Sequence, residues 1–346
     1  MKAAIVGVGF MGWIHYLAYQ RSQFAELVGF ATRDPSKQAG DWRSIEGNFG
    51  PPGEQIDISG MHVSGDMDDL LSDDSIELID ICLPPHLHAA AIESCLEAGK
   101  FVLCEKPMTL DSGSAYRLVD RATNNRLMIG HILPFMPEFR FLVDVAEDRR
   151  YGNAIAGRFQ RTIGPPDWIP DFYDLHRVGG PLIDLQVHDA HLIRLLFGMP
   201  SGIHTVHHCR GDVPSRYETL LQYSTTDEHT PPVVSVAGGV INSPARGFSH
   251  GYEVSFDDAT VRFEFAAYAD ETTDTIPVTI MHRDGRVERP ELGSSDPVDA
   301  FVDEIDAAAN VLSGGPMHPA LDPTSAADAL RICEMQMPSD ASAIHG

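Results

Sequence analysis

The sequence predicts an α/β protein of two domains, a doubly wound parallel sheet followed by an α+β domain whose sheet is mostly antiparallel. Two observations carry this expectation. Over the first 130 residues short apolar runs alternate with helical patterns, whereas beyond residue 131 strand-like runs follow one another with few helices between them. Alternation of β and α implies parallel strands covered by helices on both faces, and uninterrupted strands imply antiparallel pairing. The length, 346 residues, allows each domain its own core.

In the first domain, residues 1–130, Lys2 to Val6 reads as a buried strand and Met11 to Gln20 as a helix. Further strands are expected at Glu26 to Ala31, Glu77 to Cys82, Phe101 to Cys104 and Leu127 to Gly130, with helices at Leu87 to Ala98 and Ser112 to Asn124. The proline- and glycine-rich stretch Asn48 to Gly60 reads as a loop. In the second domain, residues 131–346, Ala154 to Thr162 predicts a strand and Leu182 to Phe197 one continuous helix. Strands are expected at His204 to Cys209, Glu218 to Tyr223, Val233 to Val240, Tyr252 to Phe256 and Thr260 to Phe265. Val278 to His282 and Val287 to Arg289 flank Asp284-Gly285, a hairpin signal. Helices near Val298 to Leu312 and Ser325 to Met335 complete the pattern.

A formal net charge of −25 argues against nucleic acid or an anionic membrane as partner, because phosphates would be repelled. No apolar run reaches the roughly 18 residues that span a bilayer, and the N-terminus lacks the basic segment and cleavage site of a signal peptide. Five scattered cysteines without a CxxC pair suit a reducing compartment, so a cytoplasmic protein is expected.

Gly7-Val8-Gly9-Phe10-Met11-Gly12 directly follows the first strand and opens the first helix. In that context Gly7 permits the tight turn, Gly9 lets a pyrophosphate approach the backbone, and Gly12 allows close helix–strand packing. The helix N-terminus adds unpaired N–H groups and a positive dipole end. A Rossmann dinucleotide site is therefore expected, with NAD or NADP as cofactor. The second strand closes on Thr32-Arg33 in place of the acidic residue that would bind a free ribose 2′-hydroxyl. Arg33, with Lys37 one turn into the next helix, favours the 2′-phosphate of NADP; the alternative is that Arg33 pairs with Asp34 or stacks on adenine.

The segments GVGFMG, CLPPHLHAAAIESCLEAGKFVLCEKPMT and VGGPLIDLQVHDAHLIRLLFG, in this order, resemble the Gfo/Idh/MocA oxidoreductases over essentially the whole chain. The resemblance implies a Rossmann domain plus a domain whose large open sheet serves in oligomerisation, hence a homodimer or homotetramer. It also implies that Lys106 of Glu105-Lys106-Pro107 reaches the substrate hydroxyl and the nicotinamide, that the bond before Pro107 is cis, and that His188 is the general base. Asp184, four residues before His188 and on the same face of the expected helix, would orient the substrate or the imidazole. The chemistry suits these groups: developing alkoxide charge calls for a cation, and an imidazole exchanges protons near neutrality.

By the same resemblance Leu83, Pro84 and His88 lie near the nicotinamide ribose, and His131 lies at the domain crossover near the substrate. Trp168, Phe172, Tyr173 and His176, in the loop before the expected helix, would line the sugar pocket through aromatic faces, the alternative being that about half of such residues are simply core. Gln186, where relatives carry a small residue, would narrow the pocket or touch substrate. Asp184, His188 and His191 have the spacing of metal ligands on one helix, but the family works without a metal and none is expected. The expected reaction is hydride transfer between NADP(H) or NAD(H) and a secondary hydroxyl or keto group of a sugar, polyol or related hydroxy compound. A redox-neutral elimination or glycosidic cleavage through transient oxidation is the alternative, and a non-catalytic nucleotide-sensing regulator a third.

Overall fold

The computed structural model describes residues 1–166, 171–225, 230–294 and 296–338. In chain order the first elements are β1 (Lys2–Val6), α1 (Phe10–Arg21), β2 (Glu26–Ala31), α2 (Pro35–Gln38), β3 (His62–Ser64), α3 (Met67–Leu71), β4 (Leu78–Ile81), α4 (His88–Glu97), β5 (Phe101–Glu105), α5 (Ser112–Arg121) and β6 (Leu127–Gly130). There follow α6 (Pro137–Glu147), β7 (Ala154–Ile163), α7 (Gly180–Asp184), α8 (Val187–Phe197), β8 (Gly202–Arg210), β9 (Val213–Gln222), β10 (Val233–Val240) and β11 (Arg246–Phe256). The last are β12 (Ala259–Tyr268), β13 (Thr273–His282), β14 (Val287–Glu288), α9 (Pro297–Leu312) and α10 (Pro323–Met335).

The chain divides into two compact units, 1–109 with 113–136 and 294–327, and 110–112 with 137–293 and 328–346. This differs from a single cut at residue 130, because α9 returns to the first unit. The apolar face of α9, with Val298, Phe301, Ile305 and Ala308 buried, joins the same core as Trp13, Ile14 and Ala18 of α1. Arg21 at the end of α1 pairs with Asp296 and Asp299 on the surface of that junction.

In the first unit six parallel strands lie in the order β3-β2-β1-β4-β5-β6. This doubly wound order places ligands at the carboxyl ends of the strands, where the order reverses between β1 and β4. The strands are buried on both faces: Ala3, Ala4 and Ile5 of β1 and Leu78, Ile79 and Ile81 of β4 are wholly inaccessible, which is why they read as mostly apolar runs, with Asp80 the one exception in β4.

In the second unit eight strands run in the order β14-β13-β12-β11-β7-β10-β9-β8. Only β7 and β10 are parallel, and the remaining neighbours are antiparallel. Alternation sends Phe159, Tyr217, Val234, Val236, Tyr252 and Val254 inward. The opposite face carries Arg158, Glu218, Leu220, Glu253 and Arg262, exposed or half-buried. The hairpin at Asp284-Gly285 joins β13 and β14, with Gly285 at φ +89°. No helix among the described residues is long and apolar enough to cross a membrane.

The expected helix Leu182 to Phe197 is broken. The structure has α7 ending at Asp184 and α8 beginning at Val187. The amides of Leu185 and Gln186 both donate to the carbonyl of Pro181, at 3.2 and 3.0 Å, so the last turn of α7 closes on itself. The Gln186 side chain then turns inward to accept from the Tyr217 hydroxyl at 2.9 Å. Asp184 and His188 consequently stand at the end of one helix and in the first turn of the next, with Leu185 and Gln186 between them still in right-handed helical backbone. The short β3, α2 and α3 and the helix α6 add to the elements expected from the pattern.

Candidate active site

The first unit assembles the expected nucleotide-binding segments along one edge of its sheet. Gly7 follows β1 with φ +101°, and its amide donates to the Ala31 carbonyl at 3.0 Å, tying the loop to the end of β2. A Cβ at Gly7 would lie 2.6 Å from the carbonyl oxygen of Cys82, and one at Gly12 would lie 2.3 Å from that of Gly7. A Cβ at Gly9 would meet nothing within 4 Å. Two glycines thus permit close backbone packing and the third leaves room above the loop, the arrangement a pyrophosphate requires. Gly9 is also the N-cap of α1 and makes no side-chain cap, so the first amides remain for an anion. These residues fit a dinucleotide. Phe10, at the helix start, packs edge-on against Phe49, ring centroids 4.8 Å apart, and Met11 is half-buried beside it.

Beyond β2, Asp34 caps α2, accepting from the amides of Ser36 and Lys37 at 2.9 and 3.4 Å. Arg33 is exposed, and among the described residues it forms no ion pair; its neighbour Asp34 is used in the cap. Lys37 turns back to donate to the carbonyl of Val8 at 2.7 Å, bracing the glycine loop. The Thr32 amide donates to Ser64 at 3.0 Å, and the Thr32 hydroxyl accepts from Asp34 N–H at 3.4 Å.

The loop after β4 and the Glu105-Lys106-Pro107 segment after β5 are joined by His88. Its Nδ1 lies 2.7 Å from the carbonyl of Pro107 and its Nε2 2.7 Å from that of Leu83. Burial pushes this imidazole below the usual histidine range, so the ring favours its neutral form and donates to one carbonyl at a time. Leu83 and Pro84 are thereby held against the lysine segment. The Lys106–Pro107 bond is cis. His131, just past β6, is wholly buried in this unit.

Glu105 belongs to a buried polar cluster that the sequence pattern did not single out. Its Oε2 accepts from the backbone N–H of Lys106 at 3.0 Å, and its Oε1 lies 3.1 Å from His15 Nε2. The other ring nitrogen of His15 is 2.8 Å from Asp80 Oδ2, which also accepts from the Tyr19 hydroxyl at 3.1 Å. Burial alone would lower the His15 pKa, but the Asp80 charge and its hydrogen bond outweigh it and raise the imidazole well above its ordinary value. The wholly buried Glu304 of α9 is raised to about 8, chiefly by burial and then by the charge of Glu105. One signal for this cluster lay in the strand Glu77 to Cys82, where Asp80 interrupts an apolar run; a carboxylate there must be paired.

In the second unit Asp184 ends α7 and His188 lies in the first turn of α8, both half-buried. Gln186 is wholly buried and serves as a brace to Tyr217. His191 is buried and pushed down to about 3, by burial and then by Arg194, which keeps it neutral. Asp189, also unnoticed in the sequence, forms a buried fork with Arg161 of β7 at 2.8 and 3.1 Å that fixes α8 on the sheet. Tyr173 packs edge-on against Phe172, ring centroids 5.3 Å apart, and Arg210 lies over its ring at 4.6 Å. Asp174 caps the loop that carries His176, its side chain accepting from the His176 amide at 2.8 Å. Trp168 lies outside the described residues.

Comparison with known proteins agrees with this geometry. Residues 1–131 match the family model GFO_IDH_MocA, described as an oxidoreductase family with an NAD-binding Rossmann fold. An inositol 2-dehydrogenase of Rhizobium meliloti is 29% identical over 204 residues, 57% of this chain and 55% of that protein. An uncharacterised oxidoreductase of Schizosaccharomyces pombe is 48% identical over 149 residues, 40% of this chain and 38% of that protein. The chain thus matches about half or less of the length of these relatives. Levoglucosan dehydrogenase in complex with NADH and levoglucosan shares the fold with a TM-score of 0.76 at 20% identity, covering 99% of this chain and 97% of that one. An oxidoreductase from Agrobacterium radiobacter in complex with NAD+, L-tartaric acid and magnesium gives a TM-score of 0.72 at 16% identity, covering 100% and 97%. Residues 1–131 are thus similar to the Gfo/Idh/MocA oxidoreductases, with the NAD-binding Rossmann fold that their family model describes.

Proposed function

We propose that the protein is an NAD(P)-dependent dehydrogenase that exchanges a hydride with a secondary hydroxyl or keto group of a sugar, polyol or related hydroxy compound. The observation that carries the reading is the seat of Lys106. Its peptide follows directly on β5 at the carboxyl edge of the dinucleotide-type sheet, bonded to Glu105 on one side and tied through Pro107 to His88 on the other. A bound nicotinamide supplies hydride acceptance or donation. Lys106 supplies positive charge to the substrate oxygen, His188 takes or returns the hydroxyl proton, and Asp184 orients the reacting group. The matched dehydrogenases of inositol and levoglucosan support a polyhydroxylated substrate.

NADP is the preferred cofactor in this reading. The support is an exposed Arg33 whose acidic neighbour is consumed by the α2 cap, beside Thr32, which stands where NAD-specific sheets carry a carboxylate. The test is fluorescence titration of the wild type and Arg33→Ala with NADPH and NADH. Selective weakening of NADPH supports the assignment; equal, unchanged binding of both removes the preference. The reading also includes a homodimer or homotetramer in the cytoplasm. The open face of the second sheet carries the exposed apolar side chains Val206, Leu220 and Val233 on neighbouring strands, and such a face is commonly covered by a second copy. A monomer by light scattering would contradict it.

A further inference from the structure

We infer that His15 is a positioning residue for Lys106, acting through Glu105. The inference rests on the reading that Lys106 works at the substrate. Asp80 and Glu105 come from adjacent strands, β4 and β5, and would repel if left alone in this buried place. His15, projecting from α1, lies between them with one ring nitrogen on each carboxylate, at 2.8 and 3.1 Å. Both partners are acceptors, so the bridge is complete only when the ring donates from both nitrogens as imidazolium. Tyr19 adds a donor to Asp80 from one turn further along α1.

Glu105 is thereby held at both oxygens, Oε1 by His15 and Oε2 by the Lys106 amide. A carboxylate fixed in this way restricts the peptide of the residue it binds. The helix that presents its N-terminus to the nucleotide thus also fixes the strand end that presents the lysine. Burial makes the link strict, since His15 and Asp80 are wholly inaccessible and Glu105 nearly so.

A metal site is the competing account of the same atoms, because His15, Asp80 and Cys82 offer ligand atoms within 4.8 Å of one another. The geometry disfavours it: both ring nitrogens of His15 already face carboxylates at hydrogen-bond distance, so neither is left for a metal without breaking that bridge.

The link can be measured without substrate. The chain has four lysines, Lys2, Lys37, Lys100 and Lys106, so selective lysine 15N labelling gives a short set of amide signals for hydrogen exchange. His15→Asn retains an amide near Nδ1 for Asp80 but does not reach Glu105. It is expected to speed exchange at Lys106 about tenfold or more. The Lys100 amide, bonded to the Cys95 carbonyl, should keep its rate. Tyr19→Phe, which loosens Asp80 alone, should leave Lys106 unchanged. Equal acceleration at Lys100 and Lys106 would reduce His15 to a general structural role, and no acceleration at Lys106 would overturn the link.

A measurement on the wild type needs no variant. Imidazole 15N signals at about pH 8, above the ordinary histidine value of about 6.5, should show His15 protonated on both nitrogens. A neutral ring there would also overturn the bridge. Turnover of Lys106→Met tests the catalytic reading separately: if it is unimpaired, that reading falls while the exchange result still decides whether His15 anchors the peptide.

Discussion

The ammonium of Lys37 lies 2.7 Å from the carbonyl oxygen of Val8, so the first turn after β2 braces the glycine loop from below. Arg33, four residues earlier, is exposed and makes no ion pair among the described residues. The two cations therefore have separable effects. Lys37→Ala should weaken NADH and NADPH alike, by about 1 kcal/mol, the worth of one charge-assisted hydrogen bond. Arg33→Ala should weaken NADPH alone, by about tenfold. Parallel fluorescence titrations of both variants read the two patterns.

Gly12 allows no side chain, because a Cβ there would come within 2.3 Å of the Gly7 carbonyl oxygen. Gly12→Ala should push α1 from β1, costing about 1–3 kcal/mol of stability as overpacking does. Cofactor affinity should fall with it. Chemical denaturation and cofactor titration of the same sample check both, and a stable variant with unchanged affinity would contradict the close-packing role.

Glu304 gives a pH signature. Its carboxyl is raised from 4.5 to about 8 by burial and by the neighbouring charge of Glu105, with Asp80 adding to the rise and His15 opposing it. The folded state therefore holds a proton that the unfolded chain releases near pH 4.5. Stability from this group is fully present below that value and is lost as pH rises through about 8. Glu304→Gln, neutral at every pH, should show a shallower loss of stability between about pH 5 and 8. Urea midpoints across that range for both proteins give the comparison, and identical slopes would refute it.

The Arg161–Asp189 fork is buried on both sides. Removing one partner leaves the other charge uncompensated. Arg161→Met should therefore cost about 3–5 kcal/mol, and Asp189→Asn less, because the amide keeps one acceptor. Thermal unfolding ranks the two variants.

Where chemistry and periodicity coincide, the sequence is easily read. GVGFMG after β1 carries its own geometric demands, and the buried parallel strands announce themselves as apolar runs. The second sheet is legible for a similar reason, since its strands alternate and its hairpin carries Asp284-Gly285. The break between α7 and α8 is not legible, because Leu185 and Gln186 continue a helical pattern. Only the tertiary bond from Tyr217 draws Gln186 inward. The return of α9 to the first unit follows from packing against α1, a long-range contact that no local pattern encodes. The cluster of His15, Asp80, Glu105 and Glu304 likewise comes from four distant segments. Asp80 in a buried strand was its one local sign.

The central claim is that Lys106 serves hydride exchange at a nicotinamide site. The most direct measurement follows reduction of NADP+ and NAD+ by a panel containing myo-inositol, levoglucosan and other polyols, for the wild type and Lys106→Met, alongside NADPH and NADH titration. The account predicts turnover by the wild type with at least one polyol and a fall in kcat of about 10²–10⁴ in the variant, the usual worth of one catalytic group. Cofactor affinity should change little. Wild-type turnover in Lys106→Met, or a wild type that binds neither cofactor, would contradict it.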